Sequence, residues 1–293
     1  MKCIDLAIVG AQKAGTTSLK NYLMEHPEIY GHLQTEFAYF RNPSEYEKGW
    51  ENTCEVYFPD LEKNFSKKLI IKNAGLYDSE DAVRRLHDHN PEMHIVFSVR
   101  NPIDRAWSSY TMEVSAGWFK QDFEDIRSSI AKASEGEIDQ MYRLFIRLGL
   151  YSDHLQTFLN YFPKQQIHVY SFEQLKSRPA EICKSIFEIL EVDADFTPEV
   201  NRVHNKTAKA KSTWLAEQIM KLRRNHNPVK RFAKKILPQK MFTRIGQGLN
   251  EFNKSEKRFE EMPEDIRAEL QSFFKPYNEE LSRLTGLKTE HWK

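Results

Sequence analysis

The chain has 293 residues, 40% hydrophobic and 29% charged, enough for one large α/β domain or two small ones. Lys+Arg at 43 against Asp+Glu at 42 leaves no global charge bias, so nothing in the balance points to nucleic acid. Cys3, Cys54 and Cys183 are scattered without a C-x-x-C pair, which argues against structural disulfides and a zinc site, and no hydrophobic run reaches transmembrane length.

Leu6 to Val9 is a short apolar run suited to a buried parallel strand. It leads into Gly10 and Gly15, and then into a helical pattern with Leu19, Tyr22 and Leu23 on one face. A strand, a glycine-containing loop and a helix N-terminus make an anion site, because the first N–H groups of a helix have no intrahelical acceptor. Lys13, Ala14, Gly15, Thr16, Thr17 and Ser18 form this site, the lysine adding charge and the last three adding hydroxyl donors. The spacing approaches the nucleoside-triphosphate loop Gly-x4-Gly-Lys-Ser/Thr. Thr16 nevertheless stands in the lysine position, and the lysine has moved back to Lys13. Such a loop cradles a phosphate but lacks the usual lysine for a β/γ pair; a tight strand-to-helix turn with an incidental lysine is the plainer alternative.

Glu28 to Phe40 reads as a short strand and a loop carrying Glu36, and residues 42–68 as a loop-and-short-helix excursion, a candidate lid. Leu69 to Lys72 is the third strand, Ser79 caps a helix through His89, and His94 to Val99 is the fourth strand. Arg100 falls at that strand's C-terminal end, the edge where open α/β sheets bind ligands. Asn101 suits an N-cap and Pro102 the first helical position. Ile103, Ala106, Trp107 and Tyr110 then repeat at helical spacing as core, with Ser108 on another face. An arginine fork and a hydroxyl can together hold a second phosphate.

Trp50, Trp107 and Trp118 are expected to bury area. Gly117 breaks the chain before a helix marked by Phe123, Ile126 and Ile130. Met141 to Leu159 gives one long helix or two short ones; Ile167 to Tyr170 is the fifth strand. Pro179 opens a helix that turns Ile182, Ile186 and Leu190 to the core. Strands alternating with helices predict an α/β, P-loop-like three-layer fold, with a central, mostly parallel five-stranded sheet flanked by helices, and one domain over 1–293.

Asn205 to Ser212 is a polar, basic loop containing Lys209 and Lys211. Gln218 to Asn250 holds no acidic residue, and within it Val229, Phe232, Ala233, Ile236 and Leu237 oppose Lys230, Arg231, Lys234 and Lys235. Residues 229–237 therefore read as a basic amphipathic helix. Its basic face is either simply solvated or attracts an anionic acceptor or a membrane surface. His87, His89 and His94 lack metal-ligand spacing, so no metal is expected, and no G-x-S-x-G occurs.

The two anion sites, in this order, resemble the sulfotransferases that use 3′-phosphoadenosine 5′-phosphosulfate (PAPS). Lys13-Ala14-Gly15-Thr16-Thr17 looks like the family's 5′-phosphosulfate loop, and Arg100 with Ser108 like its 3′-phosphate site. His26-Pro27-Glu28-Ile29 and Thr35 to Phe40 resemble the heparan-sulfate type of glycan sulfotransferase, as do Gly149-Leu150-Tyr151, Tyr170 to Leu175 and the stretch from Phe274 to Trp292. The resemblance implies Glu36 as the base for an acceptor hydroxyl, Lys13 neutralising the leaving phosphate, Lys72 as a second lysine at the reacting groups, and Lys209 and Lys211 in a loop closing over the nucleotide. Thr35 before the glutamate and Phe37-Ala38-Tyr39-Phe40 after it depart from the family's pattern, with His32 as the alternative base.

A saccharide hydroxyl is the acceptor this implies, with lipid or small-molecule alcohols and amines behind it. A cytoplasmic location is expected, since the first residues read as a core strand. Two other readings stand beside the transferase: a P-loop nucleotide or small-molecule kinase, opposed by Thr16, and a catalytically idle nucleotide-binding scaffold, which has no need of Glu36 and Lys72.

Overall fold

The structure, a computed structural model, describes residues 2–200 and 261–292. Its centre is β1 (Leu6–Gly10), buried along its whole length. Leu6 and Ile8 face one side of the sheet, while Ala7 and Val9 face the other. A strand covered on both faces needs a continuous apolar run rather than an alternating one, and that is what the sequence supplies. The chain passes through α1 (Thr16–Leu23) to β2 (Ile29–Gly31), a short edge strand. The excursion expected over 42–68 holds α2 (Pro43–Tyr46), capped by the Asn42 side chain, and α3 (Gly49–Tyr57). β3 (Lys68–Lys72), α4 (Glu80–His89) and β4 (His94–Val99) follow, with Ser79 accepting from the Ala82 N–H to cap α4.

After β4 the chain enters α5 (Pro102–Ser115), whose start is fixed by Asn101 accepting from the Ile103 N–H at 2.9 Å. Next come α6 (Ile126–Ser134), α7 (Tyr151–Leu159), β5 (Ile167–Ser171), α8 (Phe172–Ser177) and α9 (Pro179–Ile189). The long helix α10 (Glu264–Thr285) lies near the end of the chain. The five strands take the order β2-β3-β1-β4-β5, and every neighbouring pair is parallel. The fold is the α/β, three-layer, P-loop-like arrangement read from the sequence, with the described sheet wholly parallel.

The chain divides into two compact units. The first, Met1–Arg105 with Ile146–His204 and Glu269–Lys293, contains the sheet. On one face α1 and α9 pack Leu19, Leu23, Ile182, Ile186 and Leu190 onto Leu6, Ile8, Ile70 and Val96. On the other, α4 and α7 bring Val83, Leu86, Leu155 and Phe158 onto Ala7, Val9, Ile71 and Phe97. Fully burying side chains of this size contributes about 1.5–3 kcal/mol each. These two layers hold the strand ends where they are.

The second unit comprises Ala106–Phe145 and Asn205–Ala268. Its described part is built on aromatic contacts: Trp107 stacks on Tyr110 at 5.4 Å, and Phe119 meets Phe145 edge-on at 5.0 Å. Trp118 corrects an expectation, since 47% of it is exposed. Gly117, at φ 73°, closes α5 with its N–H on Val114 while the Trp118 N–H reaches Glu113, a Schellman-type ending that puts residue 118 beyond the helix. The stretch from Met141 is neither one helix nor two α-helices: a π-helical turn at Tyr142–Ile146 and a 3-10 turn at Arg147–Gly149 precede α7.

Candidate active site

Because the strands are parallel, the C-terminal ends of β1, β3, β4 and β5 share one edge of the sheet. The chain leaves β1 toward β2 and β3, whereas β4 and β5 lie on β1's other side. The boundary between β1 and β4 is thus the topological switch point, where open α/β sheets form their ligand crevice.

The loop leaving β1 is tied to β4. The Ala11 N–H donates to the Ser98 carbonyl at 2.6 Å, and the Ser98 hydroxyl donates to the Ala14 carbonyl. Arg100 donates from Nη1 to the Lys13 carbonyl at 3.3 Å. The acceptors of Lys13 and Ala14 are therefore turned onto β4. Gly15 enters α1 at φ 81°, and a Cβ there would lie 2.9 Å from Leu175 Cδ2. The first bond of α1 runs from the Leu19 N–H to the Gly15 carbonyl at 3.1 Å, so the Thr16, Thr17 and Ser18 N–H groups precede the intrahelical ladder. This is the donor-rich end that suits an anion. Lys13 itself holds a left-handed φ of 71°.

Arg100 also lies over the Phe172 ring at 4.9 Å, a cation–π contact joining the end of β4 to the start of α8. A capping box, Ser171 with Gln174, fixes that start. Phe172 in turn packs against the Gly15 position. Ser108 is half-buried on α5 and belongs to the second unit, whereas Arg100 belongs to the first. Lys209, Lys211 and the expected basic helix at 229–237 lie outside the described residues.

At the end of β3 the Lys72 ammonium sits 2.5 Å from Glu36 Oε1 and donates to the Thr35 carbonyl at 3.0 Å. Only 1% of the lysine side chain is exposed, against 43% of the glutamate's. The second carboxylate oxygen accepts from the Ala74 N–H at 3.0 Å. Glu36 is thus held at both oxygens yet open to solvent. The segment beneath it is stitched to the same strand: the Phe37 N–H donates to the Lys72 carbonyl at 2.9 Å, and the Lys72 N–H donates to His32 Nε2 at 3.1 Å.

His32, the alternative base, is unsuited to that work. It is fully buried, its Nε2 is committed to the Lys72 amide, and burial followed by the Lys20 and Lys72 charges pushes its pKa down to about 3. One residue that sequence reasoning missed is Lys20. It is buried on α1 and donates to the carbonyls of His32 and Gln34, both at 2.9 Å. Burial, then the Lys72 charge, lowers its pKa to about 8 against a smaller opposing pull from Glu36. The available signal was a lysine between Leu19 and Leu23 on an apolar helix face. Phe172 was also missed, because its contacts depend on where β5 ends.

The family model for the sulfotransferase domain matches residues 4–275, and the chain belongs to that family of enzymes. It is 25% identical over 284 residues to bifunctional heparan sulfate N-deacetylase/N-sulfotransferase 4 of Mus musculus, covering 94% of this chain and 29% of that protein. It is 28% identical over 174 residues to heparan sulfate glucosamine 3-O-sulfotransferase 6 of Homo sapiens, covering 59% of this chain and 48% of that one. The chain thus spans less than half the length of these relatives. A sulfotransferase from Alicyclobacillus acidocaldarius shares the fold, with a TM-score of 0.65 at 20% identity, over 99% of this chain and 98% of the other.

Proposed function

We propose that this protein is a sulfotransferase that moves the sulfuryl group of PAPS to a hydroxyl acceptor, a saccharide in the first instance. The observation that carries the reading is the Lys72–Glu36 pair, 2.5 Å apart, on the sheet edge that also bears the anion loop. An anion loop alone serves any phosphate ligand. A half-exposed carboxylate beside a buried lysine adds what transfer to a hydroxyl needs: a proton acceptor and a fixed positive charge. The family match runs through both compact units, which supports one sulfotransferase domain over 1–293. The heparan sulfate relatives support a saccharide acceptor.

The residues present fit the donor. The loop donors at Thr16, Thr17 and Ser18, with Lys13, suit its 5′ side, and Arg100 suits the 3′-phosphate by a charge-assisted fork. Ser108 is assigned to that phosphate by the resemblance alone. When bound, PAPS supplies an activated sulfuryl group and a phosphate leaving group. Glu36 then takes the acceptor's hydroxyl proton, and Lys72 keeps that carboxylate in place while presenting positive charge to the transferred oxygens. Lys13 balances charge at the leaving phosphate. Positioning and fixed electrostatics supply most of the rate, as for other in-line transfers.

The test is transfer of label from sulfur-labelled PAPS to a panel of saccharide, lipid and small-molecule alcohols and amines, with γ-labelled ATP as the kinase arm. Label entering a saccharide from PAPS and none from ATP is expected. Label from ATP alone overturns the reading.

A further inference from the structure

Two buried lysines, one from β3 and one from α1, hold the segment 32–36. Lys72, from β3, reaches the Thr35 carbonyl and Glu36. Lys20, from α1, reaches the carbonyls of His32 and Gln34, 12 and 14 residues along the chain. α1 is the same helix whose first turn forms the anion loop, so Lys20 is a bridge between the donor end of the site and the segment bearing the candidate base. Few residues can make this bridge from a buried helix face. The position requires a long stem to cross the gap and a charged head to hold two carbonyls at once.

We infer that Lys20 is a positioning residue for sulfuryl transfer, setting Glu36 by fixing the segment 32–36 to the helix that carries the donor loop. This rests on the sulfotransferase reading above. Lys20 touches neither donor nor acceptor and acts only through the carbonyls it holds. It also responds to pH. Lys72 and Glu36 are the charged groups felt by its ammonium, with the His32 imidazole beside the carbonyl it holds, and its pKa of about 8 lets it lose charge in mildly alkaline solution. A neutral amine keeps two N–H groups, but its hydrogen bonds lose the charge assistance that makes them strong.

The test compares Lys20→Met and Lys20→Arg with wild type in the full chain. Amide hydrogen exchange over 32–37 needs no acceptor: it should be faster by about tenfold or more in K20M, and slower again in K20R, with β4 amides unchanged. Once an acceptor is in hand, kcat should fall by about tenfold or more in K20M. Adenosine 3′,5′-bisphosphate affinity should stay within about twofold of wild type. Wild-type kcat should decline as pH passes about 8, and K20M should lack that decline. Unchanged exchange at 32–37 overturns the inference. So does a kcat within twofold of wild type, or a loss of protection spread equally over β4, which marks Lys20 as a general fold contact. If wild type transfers no sulfuryl group, the functional reading fails, and the exchange measurement still decides whether Lys20 holds the segment.

Discussion

Arg100 and Phe172 meet with the guanidinium 4.9 Å above the ring, while the same guanidinium donates to the Lys13 carbonyl. One side chain therefore touches the loop after β1, the end of β4 and the start of α8. An arginine placed only to meet a 3′-phosphate has no need of the other two contacts.

Arg100→Ala should weaken adenosine 3′,5′-bisphosphate by roughly ten- to a hundredfold, since charge-assisted hydrogen bonds are worth about 1.5–3 kcal/mol. AMP, lacking the 3′-phosphate, should lose only about two- to fivefold, from the slackened loop. Calorimetry with both ligands measures the difference. Equal losses would remove the 3′-phosphate from this site.

Glu36→Gln keeps an oxygen for Lys72 but gives up the proton acceptor. Single-turnover transfer should slow by about 10²–10⁴-fold, the usual contribution of a positioned base. Bisphosphate binding should stay near wild type, and the melting temperature should fall, because the Lys72 side chain, 1% exposed, loses its counter-charge. A rate within about threefold of wild type takes Glu36 out of the mechanism.

Gly15→Ala tests the loop's backbone. A left-handed φ costs a residue with a Cβ about 1–2 kcal/mol, and here the added atom also presses on Leu175, 2.9 Å away. The urea midpoint should drop accordingly. Bisphosphate affinity should fall further than the stability loss alone explains, because the Thr16 to Ser18 donors move with the helix start.

Acid should destabilise the protein before its carboxylates titrate. Burial holds the pKa of His32 at about 3 and that of His89 at about 4, both well below an ordinary imidazole. The unfolded chain takes up these protons near pH 6.5 while the folded one refuses them, so stability is full above that pH and declines as pH falls from there toward 3–4. Each such group contributes at most about 1.4 kcal/mol per pH unit across that window. Urea midpoints at pH 7 and pH 5 report the decline, and His89→Phe should reduce it. A flat profile contradicts the neutral state of both rings.

The sheet and its helices were legible because their signals are local. Leu6 to Val9 and His94 to Val99 are apolar runs of strand length, and Ser79 and Pro179 mark helix starts. The anion loop was legible for the same reason: strand, glycines and helix lie within one short stretch. The Glu36 site was not derivable in that way. Its geometry comes from Lys72, 36 residues on, and from Lys20 on α1, and no short pattern records a bond between residues so far apart. Trp118 went wrong because side-chain type was read without the helix ending at Gly117, which carries it outward.

Gly10 and Gly15 share a letter but answer to unrelated demands. Gly15 supplies a backbone angle, whereas Gly10 makes room: a Cβ there would overlap the Tyr77 ring, whose hydroxyl is anchored on the Leu148 carbonyl at 2.8 Å. The Gly-x4-Gly spacing that looks like a nucleotide signature is therefore half a packing constraint, written by an aromatic residue 67 positions downstream. Positions 10 and 77 form a size-exchange pair. A relative with a small aliphatic residue at 77 is free to carry alanine at 10 and keep the same anion loop, and a search that insists on both glycines would pass over it.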